Sequence, residues 1–339
     1  MSGIGGDESI AVAERYARFA RDEAPGRSDL YARWAAGLAA DAELAGILAR
    51  IPAARRQPPL VFAVTRMLGA PEDDFPVWAA WLRRHGDEVV AEASVRRLQT
   101  NEPQRCAALL PALATIEGPI ALLELGASGG LCLYPDRYSY RYRSRGGVTV
   151  LDPETGPSMV VLDCDVTGDP RLRLPEVVWR AGIDLAPLDA SDEGDRRFLT
   201  SLVWPGESGR VDRISAALDI AAADPPLLIA GDASDPQVLR AAAARAPAGA
   251  TLVVTTPGVL PHIPRAGRER LVGALRELDS VWVTIDPPAL HAWRQPAVDA
   301  GSWGGFVLGR DGQALAAVDP LGSFVHWRAW RPGGADDRS

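Results

Sequence analysis

The chain of 339 residues contains no lysine: all 36 of its basic residues are arginine. That absence excludes Schiff-base chemistry on a lysine amine, a pyridoxal phosphate anchor and the GxxxxGK[ST] phosphate loop. It accompanies abundant Ala, Arg, Gly and Asp, the compositional bias of a GC-rich genome. Cysteine is scarce as well. Cys106, Cys132 and Cys164 are too few and too scattered for a disulfide framework, and none has zinc-ligand spacing, so they read as small buried hydrophobes and no metal is expected. Long apolar runs are missing: no segment approaches the roughly 20 uncharged residues of a membrane span, and no membrane partner is expected. The first twenty residues lack the basic stretch followed by an apolar one that marks a secretory signal, which points to the cytoplasm. A formal net charge of -8 argues against a face for nucleic-acid phosphates. Asparagine occurs once, at Asn101.

What is present is an ordinary globular composition, 47% hydrophobic and 24% charged. From about residue 8 to 115 the apolar positions recur at three and four, as in Ile10, Ala13, Tyr16, Ala17 and Ala20, with breaks at Pro25-Gly26, Pro52, Pro58-Pro59 and Gly69-Ala70-Pro71. The pattern predicts an N-terminal helical domain, 1–115, of five or six helices. Beyond Gly118 strand and helix patterns alternate, the signature of a mostly parallel α/β sheet. A Rossmann-like α/β domain is expected over 116–335. Residues 136–175 read as a β insertion, a small sheet of two or three antiparallel strands. The end reads as a hairpin with Asp311-Gly312 at one turn.

The stretch LLELGASGG, Leu122 to Gly130, passes from a buried strand through Glu124 into a turn whose glycines let a ligand approach the backbone. Two later strand ends carry acids, Asp184 in GIDLAPLD and Asp232 in LLIAGDA. In an open parallel sheet the ligand crevice lies at the carboxyl ends of the strands. Glu124, Asp184 and Asp232 are thus expected on one rim, with Gly126, Ser128 and Gly130 forming the turn. Asp184 suits both hydroxyls of a ribose, and Asp232-Ala233 suits an adenine amino group beside a small residue. Each acid alone is equally at home as a helix cap or turn former. A dinucleotide fingerprint would need G-x-G-x-x-G. Here the order is acidic-x-Gly-x-x-x-Gly, which suits an adenosine ligand without a pyrophosphate.

That turn resembles motif I of class I S-adenosylmethionine-dependent methyltransferases. LLELGASGGLCLYPDRYSYRY, with LQTNEPQRCAALLP upstream and GIDLAPLD, SLVWPG and DPPLLIAGDA downstream, is also similar to the uncharacterised, mostly actinobacterial family DUF2332. The likeness covers nearly the whole chain. It implies a Rossmann-like, methyltransferase-related fold and carries no established activity; the resemblance to motif I implies S-adenosylmethionine as cofactor, with a small molecule the expected substrate. The chain departs from the family's common Ala-Gly-Leu-Asn at Gly129-Gly130-Leu131-Cys132, which puts a side-chain role at position 132 in doubt.

Methyl transfer asks mainly for positioning, so candidates for chemistry are few. His262 follows the fourth core strand, where a general base could stand or a histidine could be merely structural. Asn101-Glu102 precedes a helix and reads either as its cap or as a polar pair lowered onto the ligand. His291, Trp293 and Trp303 lie in a loop-rich stretch that would suit a lid or ordinary packing. Two other readings stay open: a catalytically silent protein binding an adenosine ligand or a protein partner, and, disfavoured by the turn spacing, a nicotinamide-dependent oxidoreductase.

Overall fold

The computed structural model describes residues 4–290 and 305–327. The chain forms helices α1 (Ile4–Asp22), α2 (Asp29–Ala39), α3 (Ala42–Ala49), α4 (Pro58–Met67), α5 (Phe75–Val95) and α6 (Arg105–Leu113). Strands β1 (Pro119–Leu125), β2 (Ser139–Ser144), β3 (Gly147–Leu151), β4 (Val161–Thr167) and β5 (Glu176–Asp184) follow, then α7 (Glu193–Ser201) and α8 (Arg210–Ala223). The remainder runs β6 (Leu227–Ala230), α9 (Pro236–Ala243), β7 (Thr251–Pro257), α10 (Arg265–Glu277), β8 (Val281–Asp286), β9 (Phe306–Arg310), β10 (Gln313–Val318) and β11 (Phe324–Trp327).

One compact unit comprises Met1–Thr100 together with Ser191–Ser215. Helices α2 and α3 start where capping chemistry dictates: Ser28 accepts from Tyr31 N ahead of α2, and Asp41 from Leu44 N ahead of α3, each supplying an acceptor to an otherwise orphaned first-turn amide. The breaks fall at the expected prolines and glycines, with Gly26 and Gly69 at φ 76° and 93°, a region open to glycine at little cost. The core is aromatic. Trp34 stacks on Trp78 at 4.9 Å, and Tyr31 meets Phe62 at 4.8 Å. Trp204 joins through Phe19 and Tyr31, while Arg66 donates to the carbonyls of Ser201 and Val203. Those contacts bring the distant segment 191–215 into this unit.

The other unit, Asn101–Ala190 with Ala216–Ser339, holds every described strand. The division falls at Thr100 and not at the expected 115, because α6 belongs to the sheet: it packs on β4, β8, β9 and β11, and Cys106 to Leu113 are all buried. The eleven strands form one sheet in the order β3-β2-β4-β11-β10-β9-β8-β7-β1-β5-β6. From β6 to β8 all neighbours are parallel, whereas β9 and β10 run antiparallel to the strands before them. The insertion is therefore not a separate small sheet. β2 and β3 make an antiparallel hairpin, but β4 lies parallel to β2 and pairs with β11, so the insertion continues the main sheet. The β9–β10 hairpin turns at Asp311-Gly312, both at positive φ, as a two-residue connection between twisted strands requires.

Candidate functional site

Strand β1, PIALLEL, is buried along almost its whole length between parallel neighbours β5 and β7. Read outward from one edge, β6, β5, β1, β7 and β8 are the third, second, first, fourth and fifth core strands. That is the doubly wound order, whose topological switch lies between β1 and β7. The glycine turn begins there. Gly126, Ser128 and Gly130 stand at φ 76°, 54° and 75°. For Ser128 that left-handed conformation costs on the order of 1–3 kcal/mol and persists only where surroundings enforce it.

The enforcement is visible. Gly126 N and Ala127 N both donate to Ile183 O, at 2.8 and 3.2 Å, and Gly130 N donates to Ala127 O at 2.7 Å. A Cβ on Gly126 would stand 2.5 Å from Val259 Cγ2, and one on Gly182 would stand 2.3 Å from Ala127 Cβ. The turn is thus wedged between the ends of β5 and β7, and only glycine permits either approach. Asp184 holds it from one side, its Oδ2 accepting from Ser128 N at 2.9 Å and its Oδ1 from Ala186 N at 2.8 Å. Asn101 holds it from another, its Oδ1 accepting from Leu131 N at 3.3 Å. Across the switch point Asp286, fully buried at the tip of β8, accepts from Leu260 N and from the Thr284 hydroxyl, fixing the segment that carries Val259.

Beneath the turn lies a second layer. Leu123 and Leu125 join the apolar cluster with Leu239 of α9 and Leu271 of α10. Glu124, between them, necessarily points to the opposite face of the sheet. There its carboxyl is 3% exposed and lies beside the Cys132 thiol, and Oε2 has no hydrogen-bond partner. Burial above all, then the Cys132 thiol and Asp184, raise its pKa far above the usual carboxylate range, with Arg105 opposing. Asn101, 7% exposed, likewise has an unpartnered Nδ2. The Cys132 thiol donates to Glu102 O at 3.3 Å and Cys106 donates to Cys132 O at 3.5 Å; the neighbouring Cys106 thiol, then burial, push the Cys132 thiol up. Buried polar groups are nearly always paired, so two orphans under one strained turn are unusual.

The sheet brings the expected residues together unevenly. The carboxyl ends of β1, β5 and β6 are adjacent, and Gly231 N donates to Asp184 O at 2.9 Å. Glu124, however, is buried below the rim. Asp232 is exposed and accepts from Ser234 N at 2.8 Å, a local turn contact, while Ala233 is buried. His262 is exposed in a short helical turn after β7. Asn101 does not cap α6; the next residue, Glu102, accepts from Gln104 N at 3.0 Å. His291, Trp293 and Trp303 fall outside the described residues. Sequence reasoning missed Arg105, which donates to Pro257 O and Pro320 O, and Asp286. The terminal acid of VWVTID was the available signal, the same strand-tip pattern that drew attention to Asp184.

A mostly parallel, Rossmann-like α/β sheet with a strained glycine turn at its switch point defines the class of this protein. Within it the chain belongs to the family described as uncharacterized protein conserved in bacteria (DUF2332), whose model matches residues 13–327. No curated protein and no solved structure matches the chain. No described helix is long and apolar enough to cross a membrane, and among the described residues no group of three or more His, Cys, Asp or Glu could hold a metal ion.

Proposed function

We propose that the glycine turn binds an adenosine-bearing small molecule, with S-adenosylmethionine the ligand that suits it best, and that the protein acts on a small-molecule substrate as a methyltransferase-like enzyme. The carrying observation is the pair of orphaned buried polar atoms, Glu124 Oε2 and Asn101 Nδ2, under a turn whose Ser128 is held at φ 54°. Strain and unpaired polarity together are what a preformed ligand site stores.

The fit to that group is tested at Asp184. Each of its oxygens already accepts one backbone amide, but a carboxylate oxygen has a second lone pair, so ribose hydroxyls are still accommodated. Glu124 and Asn101 would hold the polar end of the ligand, Asp184 the ribose, and Ala233 with Asp232 the base. When bound, the cofactor supplies an electrophilic methyl group. The protein's contribution is orientation and exclusion of water. A catalytically silent adenosine-binding protein is the second reading, favoured by the exposed setting of His262.

Calorimetry with S-adenosylmethionine, S-adenosylhomocysteine, NAD and ATP tests the proposal. A ligand at 100 times its dissociation constant adds about 2.7 kcal/mol of stability. Stabilisation by the first two is expected; stabilisation by NAD alone overturns it. Product formation from a panel of small nucleophiles then separates the enzyme from the silent binder.

A further inference from the structure

The sheet ends at β3, and that edge is unusually bare. Its five residues, Gly147-Val148-Thr149-Val150-Leu151, include no charge and no proline, the two common protections of an edge strand. Val148 and Val150 are 58% and 52% exposed. The opposite edge differs: Pro225-Pro226 leads directly into β6.

The hydrogen-bond parity of β3 follows from its hairpin. Ser144 pairs with Gly147 across a two-residue turn, and the register runs without a shift to Tyr140 opposite Leu151. Ser144–Gly147, Tyr142–Thr149 and Tyr140–Leu151 must then be the bonded pairs, because antiparallel pairs alternate. Val148 and Val150 therefore turn their N–H and C=O groups outward, and among the described residues no hydrogen bond reaches those groups.

We propose that β3 pairs antiparallel with β3 of a second copy of this chain, about a two-fold axis at Thr149. In that register Val148 faces the partner copy's Val150 as a bonded pair, and the reverse, so all outward groups of both valines are satisfied. The same operation sets the exposed Arg145, just before β3, beside the second copy's exposed Glu154, just after it. Two such pairs of opposite charge flank the strip, one at each end. Shifting by two residues loses one valine pair and sets the charges out of line. This self-complementarity, apolar at the centre and oppositely charged at the ends, selects a second copy over an unrelated strand. An isologous contact of this kind closes into a dimer and does not grow into a fibre.

Sedimentation velocity of the full chain across a concentration series tests the proposal, together with mild oxidation of Thr149→Cys. A concentration-dependent dimer is expected. Val148→Lys should weaken it at least tenfold while circular dichroism and melting temperature stay as in the parent. Arg145→Glu should weaken it less, and adding Glu154→Arg should restore it. Thr149→Cys should cross-link to its own copy, since facing residues in a non-bonded pair have Cα atoms about 4.5 Å apart, within disulfide reach. The native cysteines are buried and give little background. A parent that stays monomeric, a dimer indifferent to Val148→Lys, or a charge swap that fails to rescue overturns the proposal.

Discussion

The aromatic core of the helical unit and the layer under the glycine turn both contain buried polar atoms without partners, yet they are different objects. In the helical unit the lone case around the rings is the Tyr16 hydroxyl, set edge-on to Phe62, its pKa raised by burial. Around it the polar tips are satisfied: Trp34 Nε1 donates to Asp73 O at 2.8 Å and Trp78 Nε1 to Thr65 Oγ1 at 3.2 Å. That orphan is a cost of packing a large amphipathic ring. Under the turn the orphans belong to an acid and an amide, and the backbone above them is strained. A single unpaired group in an apolar core is a blemish; two of complementary type beneath a strained turn at a switch point are what the proposed ligand site rests on.

The comparison breaks most readily at its apolar end. Phe62→Ala removes the ring shared by Tyr16, Phe19, Tyr31, Trp34 and Trp78 and should cost about 3–5 kcal/mol in chemical denaturation, with ligand affinity per folded molecule unchanged. A change in affinity would mean that the two regions are not independent. Asp184→Ala removes the carboxyl that the amides of Ser128 and Ala186 donate to, and since an intramolecular hydrogen bond is worth about 0.5–1.5 kcal/mol and more to an acid, a loss of about 3 kcal/mol is expected, with faster hydrogen exchange at Ser128. Unaltered exchange there would remove Asp184 from the support of the turn.

Gly126→Ala should cost about 2 kcal/mol through its positive φ, besides the clash with Val259, and should abolish the thermal shift given by any ligand of the turn. Glu124→Gln probes the buried acid. Because its folded-state pKa is raised, the contribution of Glu124 to stability is fully present below the unfolded value of about 4.3 and is lost as pH rises above it. Each unit of that rise removes about 1.4 kcal/mol until the raised pKa is passed. Parent and Glu124→Gln should therefore diverge in urea titrations as pH rises above about 4.3, the variant becoming relatively more stable; parallel curves would show an ionised Glu124. Tyr16→Phe should change least, within about 1 kcal/mol and toward stability, since it deletes only an unpaired hydroxyl.

Much of this organisation was legible from the chain alone. Periodicity and punctuation located α1 to α5, because proline and glycine act locally. The strand of Leu122–Leu125 and its turn were legible for the same reason, and so was the hairpin at Asp311-Gly312, whose two positive φ values are a property of those residues. Parallel order was inferred from alternation, and with it the adjacency of Glu124, Asp184 and Asp232.

Three things needed the tertiary structure. The partner of β4 is β11, more than 150 residues away in sequence, and no local pattern encodes which edge a strand chooses, so the insertion extends the main sheet. The domain division moved because Trp204 and Arg66 tie a distant segment to the helices while α6 lies on strands, contacts set by packing and not by propensity. The roles of the acids separated as well. The sequence placed Glu124 and Asp184 on the same rim, but alternation along β1 turns Glu124 below the sheet into a buried position beside the Cys132 thiol, while Asp184 meets two backbone amides. Residue type and strand position were fixed by the sequence; burial and partnership, which decide what a carboxyl can pair with, arise only when distant segments close around it.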